Sequence, residues 1–149
     1  MNKTIAFIVI NSDVVLVSDP YTMFIVEGLT GIPTIMIERA FIYEEGYTPE
    51  ALNIMRKVKY ILAGGNITEL KEYVKIIYPN AKRCVVIYTS RTHIWLNKEN
   101  VFFVWYIPKS KFKISGNISL LTRLFEDNSA KLIYSIPNYA YVFKIKLKD

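Results

Sequence analysis

The chain has 149 residues, 52% of them hydrophobic and 21% charged, and a net charge of +6. That length suits one domain with a sizeable core, and the composition excludes a disordered chain. No apolar stretch approaches the roughly 20 residues of a membrane-spanning helix, and the single cysteine, Cys84, excludes an internal disulfide framework and suits a reducing cytoplasm.

The predicted elements begin with two strand-like runs, Thr4 to Ile10 and Val14 to Val17, divided by the turn-forming triplet Asn11-Ser12-Asp13. They read as a hairpin or one interrupted strand, and the first run lacks a signal-peptide core and cleavage site. Asp19-Pro20 supplies a helix cap and a first-turn proline for a helix through Met23, Phe24, Val26 and Leu29, ended by Gly31 with Pro33 beyond. Thr34 to Ile37 is a short apolar strand closing in Glu38-Arg39. Thr48-Pro49-Glu50 opens a second helix with Leu52, Met55 and Val58 on one side.

Tyr60 to Ala63 reads as a buried strand stopped by Gly64-Gly65. Asn66 caps the next helix, with Glu69 placed to return a capping-box bond, and Ile67, Leu70, Val74 and Ile77 share one face. Cys84 to Tyr88 is a further apolar strand, closed by Thr89-Ser90-Arg91. Apolar runs without alternation imply strands buried on both faces. The expected fold is therefore a Rossmann-like three-layer α/β sandwich with a mainly parallel sheet.

The tail adds an aromatic strand at Val101 to Ile107, a basic segment at Lys109, Lys111 and Lys113, and a helix at Ile118 to Phe125 capped by Ser115 or Asn117. Leu132 to Ile136 and Tyr139 to Ile145 flank Pro137-Asn138 as a closing hairpin or edge strands. Lys144, Lys146 and Lys148 alternate with apolar residues there, as on the charged face of an edge strand. With no linker or repeat, residues 1–149 form one domain.

Val14 to Asp19, the helix through Glu27-Gly28-Leu29, Ile32 to Ile37, Thr48 to Leu52 and Val58 to Gly65 follow one another in an order that resembles the cell-wall-binding repeat 2 family. The resemblance spans about residues 14–77 as a single repeat. It implies an α/β fold and a tendency to associate, and it nominates no catalytic residue. Members that anchor to walls carry several repeats and bind anionic polymers.

Ligands of an open parallel sheet bind beyond the carboxyl ends of its strands. That rule selects Ser18 and Asp19, Glu38 and Arg39, Gly64, Gly65 and Asn66, and Thr89 to Arg91. Gly64-Gly65-Asn66 before a helix suits a phosphate or carboxylate, or serves only as a tight turn. Val26-Glu27-Gly28 is similar to the magnesium-holding motif of a Toprim domain, without its downstream Asp-x-Asp. His93, the only histidine, reads as a surface or packing residue, Cys84 reads as a buried hydrophobe, and no Cys/His cluster offers a metal site.

Charge points elsewhere. Residues 1–79 hold seven Lys/Arg and nine Asp/Glu, whereas residues 80–149 hold twelve and four. In the basic half Lys82, Arg83, Arg91, Lys98, Lys109, Lys111 and Lys113 interleave with Trp95 and Phe112, the ingredients of sequence-tolerant nucleic-acid binding. The expected function is a non-catalytic cytoplasmic module that self-associates and contacts an anionic polymer or protein, without a cofactor. The alternatives are a nucleic-acid-binding protein or a nucleotide- or metal-dependent enzyme at the sheet's carboxyl edge.

Overall fold

The computed structural model describes residues 13–35, 49–99, 104–116 and 118–147. The expected first strand at Thr4 to Ile10, together with Glu38 and Arg39, lies outside them. Val14–Val17 forms β1, and Pro20–Thr30 forms α1. Asp19 caps α1 by accepting from Thr22 N, and Gly31, with φ 73°, closes it by donating to the Glu27 carbonyl. Glu27 is thus helical and not at a strand end.

Pro49–Gly64 is one helix, α2. This overturns the strand expected at Tyr60 to Ala63. Met55, Val58, Ile61 and Leu62 are all buried, and their spacing continues the helical face begun earlier in the segment. A short apolar run cannot by itself separate a strand from a buried helical turn, and here the helix wins. Gly65, with φ 66°, then turns the chain into α3, Ile67–Ile77. Asn66 caps α3 by accepting from Glu69 N at 3.0 Å, while the Glu69 carboxylate accepts from Lys57 Nζ at 3.3 Å.

Arg83–Thr89 is β2, and it runs straight into a helix, α4, Ser90–Asn97. Thr89 caps α4 through a capping box with Thr92. Val104 to Ile107, expected to be a strand, has no regular structure, and a single 3-10 turn follows at Lys109–Lys111. Ser119–Glu126 is α5, with Ile118 at the cap position and no side-chain cap. Ala130–Ile136 and Ala140–Lys146, β3 and β4, pair as an antiparallel hairpin around a turn in which Asn138 has φ 72°.

The sheet order is β1-β2-β4-β3. Only β1–β2 is parallel; β2–β4 and β4–β3 are antiparallel. Thr34 contributes a single parallel bridge to Leu16, supported by Leu16 N to the Pro33 carbonyl and Ile35 N to the Leu16 carbonyl. The sheet is therefore mixed, not the mainly parallel Rossmann-like sheet expected. The burial pattern gives the reason. Along β2 the residues alternate between buried and half-buried, so the run Cys84 to Tyr88 is covered fully on one face only.

That covered face carries the core. In register it holds Val15, Cys84 and Ile145, then Val17, Val86 and Phe143. Phe125 of α5 lies edge-on to Phe143 at 5.0 Å, and α2 packs on α3, α4 and α5. The expectation that β4 is an edge strand also fails: β4 sits between β2 and β3, and β3 is the outer strand of the hairpin.

The opposite face gathers cations. Lys131 stands directly across from Lys144, and Lys146 directly across from Arg83. Like charges at directly opposed positions destabilise a sheet. Of the four, Arg83 alone has a carboxylate partner among the described residues, Asp13, whose two oxygens accept from one guanidinium nitrogen at 3.1 and 3.0 Å. Replacing Lys131 by Glu is expected to stabilise the fold by about 0.5–1 kcal/mol at low salt. Thermal denaturation checks this: the gain should shrink in 1 M salt, and a lower melting temperature would contradict the opposed-charge picture.

Candidate functional site

Beyond the carboxyl ends of β1 and β2, a buried polar knot ties two helix starts together. Asp19, 1% exposed, accepts from Thr22 N at 3.1 Å, from the Thr22 hydroxyl at 2.7 Å and from the Thr92 hydroxyl at 2.6 Å. Ser18 donates to the Ile87 carbonyl at 2.7 Å, and Thr89 N donates to the Thr92 hydroxyl at 3.1 Å. A buried carboxylate is tolerated when its lone pairs are met by donors, as they are here. Asp19 thus serves as a strut joining α1 to α4, closed to solvent.

Arg91 works in the same way. Its guanidinium stacks on the Tyr21 ring at 4.0 Å and donates through Nη1 to the Val104 carbonyl. Tyr21 in turn meets Trp105 edge-on, with centroids 5.5 Å apart and planes at 83°. The knot, the stack and the chain after α4 are therefore one connected construction.

Residues 104–116 are also pinned by α4 and by the β3–β4 turn. The Ser90 hydroxyl donates to the Phe112 carbonyl at 2.6 Å, and Ile114 N donates to the Asn138 carbonyl at 2.7 Å. His93 Nε2 lies 2.5 Å from the Ser115 carbonyl and Nδ1 lies 2.6 Å from the Tyr88 hydroxyl. A carbonyl only accepts, so Nε2 donates to Ser115, and whenever Nδ1 carries no proton it accepts from Tyr88. Burial raises the pKa of the Tyr88 hydroxyl and keeps its proton in place for that bond.

Between α4 and this pinned segment lies a groove of about 530 Å³. Lys98, Lys111 and Lys113 line it, with Asn97 and the two aromatics Trp105 and Tyr106. Trp105 is 71% and Tyr106 79% exposed, whereas Trp95, the tryptophan nominated from sequence, is fully buried. Lys59 reaches over the Trp95 ring at 5.6 Å and donates to the Lys98 carbonyl, which anchors the end of α4. Burial lowers the Lys59 pKa, with the Glu99 charge acting against the shift. Neither Lys98, Lys111 nor Lys113 has a salt-bridge partner among the described residues.

The remaining sequence candidates fall elsewhere. Lys82 and Arg83 stand at the start of β2 and Arg91 just past its end, so the length of a seven-residue strand, about 20 Å, separates them. Lys109 and Lys111 share the 3-10 turn. Gly64, Gly65 and Asn66 line a different hollow of about 480 Å³ with Arg123, Glu126 and Asp127. Two carboxylates there oppose the anion that the α3 N-terminus would favour. A Cβ on Gly65 would come within 3.0 Å of Arg123 Cγ, so this glycine also permits close packing of the turn on α5. Burial pushes the Cys84 thiol up to about 12, against a lowering by Lys71, and a thiol so placed is inert. No cluster of three or more His, Cys, Asp or Glu suited to a metal occurs among the described residues.

Sequence reasoning missed α4, Trp105 and Tyr106. The signal for α4 was present as Thr89 and Thr92, three residues apart, but with Thr in the place where Glu or Gln marks the usual capping box. Trp105 and Tyr106 were absorbed into an expected strand. No family model matches this chain, and no curated protein or solved structure resembles it at a significant level.

Replacing Asp19 by Ala would leave the Thr22 amide and the Thr22 and Thr92 hydroxyls without their acceptor. At about 1–3 kcal/mol for an unsatisfied buried group, with partial relaxation, the loss should be about 3 kcal/mol. Urea unfolding measures it. A loss below about 1 kcal/mol would show that the knot does not hold the two helix starts.

Proposed function

We propose that this chain is a non-catalytic binding module that takes an anionic polymer in the groove between α4 and residues 104–116. The observation that carries this reading is the set of three groove lysines, Lys98, Lys111 and Lys113, without a carboxylate partner among the described residues. Cations brought together on one wall without counter-charges raise the local concentration of an anion and steer its approach. The non-catalytic half of the proposal has its own support: Asp19 is buried and engaged, His93 is engaged at both nitrogens, and the Cys84 thiol is inert.

The groove rather than the start of β2 is the favoured surface because it is concave and carries apolar walls beside its charges. Lys82 and Arg83 do not line it, and Arg83 already holds Asp13. The opposite sheet face, with Lys131, Lys144 and Lys146, gives the same molecule a further basic stripe that adds to its general attraction for polyanions.

Binding of inorganic polyphosphate, followed by fluorescence anisotropy or calorimetry across a salt series, tests the reading. Affinity should fall steeply as salt rises, because each neutralised phosphate releases a counterion. The double variant Lys111→Glu/Lys113→Glu should lower the salt slope by about 1–2. The variant Lys82→Glu should leave it close to that of the parent chain. Failure of both polyphosphate and a single-stranded oligonucleotide to bind at low salt would overturn the proposal, as would equal losses from Lys82→Glu and the groove variant.

A further inference from the structure

The two aromatic rings of the groove are not accounted for by charge alone. The geometry points to a single-stranded nucleic acid as the polymer, its bases stacked on Trp105 and Tyr106 and its phosphates met by Lys98, Lys111 and Lys113. This inference rests on the anionic-polymer reading above and adds to it the chemical class of the ligand.

Trp105 and Tyr106 are consecutive, large and about three-quarters exposed at the groove. A solvent-facing indole at the end of a floppy loop would be an ordinary surface feature. This one is held. Tyr21 braces the indole edge-on at 5.5 Å, Arg91 stacks on Tyr21 at 4.0 Å, and the same Arg91 donates to the carbonyl of Val104, the residue before Trp105. The brace reaches the Asp19–Thr92 knot through neighbours in sequence on both helices, since Tyr21 lies two residues after Asp19 and Arg91 one before Thr92. An aromatic surface fixed before its ligand arrives loses little freedom on binding, so more of the stacking energy appears as affinity.

The pairing of a braced indole and a neighbouring exposed phenol ring with lysines that lack carboxylate partners among the described residues selects among polyanions. Polyphosphate or a sulfated polysaccharide would engage the lysines and leave both rings in water. A duplex presents phosphates but keeps its base faces stacked inside. Single strands offer both groups, and base stacking on an aromatic side chain contributes about 1–3 kcal/mol per base with little regard to sequence. The groove volume of about 530 Å³ is of the size that accepts small organic groups such as a nucleobase with its sugar. Arg91 itself is committed to Tyr21 and to the Val104 carbonyl, so its part is to position the platform rather than to meet phosphate.

The chain supplies its own probe, because it has two tryptophans and Trp95 is fully buried. The test titrates the full chain with oligothymidylate of about 12 nucleotides, within the usual range of single-strand site sizes, and with its duplex with oligoadenylate, polyphosphate of similar charge and free thymidine monophosphate. The single strand should quench the tryptophan emission and bind more tightly than the duplex or polyphosphate. Read by calorimetry, since the substitution removes the exposed indole, Trp105→Ala should weaken single-strand binding about 5- to 100-fold and weaken polyphosphate binding far less. Trp105→Phe, which keeps a ring, should recover much of the loss, and thermal melting checks that each variant is folded. Single-strand binding unaffected by Trp105→Ala, or polyphosphate bound as tightly as the single strand, would overturn the inference and leave the polymer reading standing. Thymidine monophosphate bound as tightly as the oligomer would overturn it in favour of a mononucleotide pocket. Failure of both polymers to bind at low salt would remove the underlying reading as well.

Discussion

A buried carboxylate sets the geometry on which the rest of this molecule depends. Asp19 is almost without solvent contact, and its carboxyl group is accommodated there because Thr22 and Thr92 supply three donors to it. Those donors come from two helices that start at the ends of neighbouring parallel strands. The bonds therefore fix how α1 and α4 leave the sheet. Tyr21 and Arg91 flank the knot in sequence, so their stack follows from it. Trp105 is braced by that stack, and the groove wall follows from Trp105.

The charge distribution has a matching logic. The basic half of the sequence does not fold into one patch. It divides between a sheet face, where cations oppose one another across strands, and a groove about a strand length away. Opposed lysines cost stability, and a chain shaped for stability alone would place acidic residues between them. The groove differs from the sheet face in carrying fixed aromatic surface and a concave form. On the proposed reading, charge alone would draw a polyanion to both, and the rings would discriminate.

Much of the local structure was legible, and the parts that were not share a physical cause. Asp19-Pro20 and Gly31 mark the two ends of α1, and Asn66 starts α3, because caps act through neighbouring residues and leave their mark in sequence. Strand order is a matter of distant pairing. Nothing near β4 says that it enters the sheet between β2 and β3, and once it does, the sheet is mixed and Lys144 faces Lys131. Tyr60 to Ala63 misled because four apolar residues carry no period of their own, while the buried positions Met55, Val58, Ile61 and Leu62 together do. The two tryptophans show the same limit at the site. Trp95 sits among basic residues in sequence yet packs inside α4, and Trp105 sits in an apolar run yet faces solvent. Which one is exposed was decided by the unpredicted helix.

The most direct measurement is an amide and indole NMR titration of the chain with polyphosphate at low salt. The amides of Lys98, Lys111 and Lys113 should move together, while the indole of buried Trp95 stays in place. Shifts confined to Lys82, Arg83 and the strand residues around Lys144, with the groove silent, would place polyanion contact on the sheet and contradict a binding groove at α4.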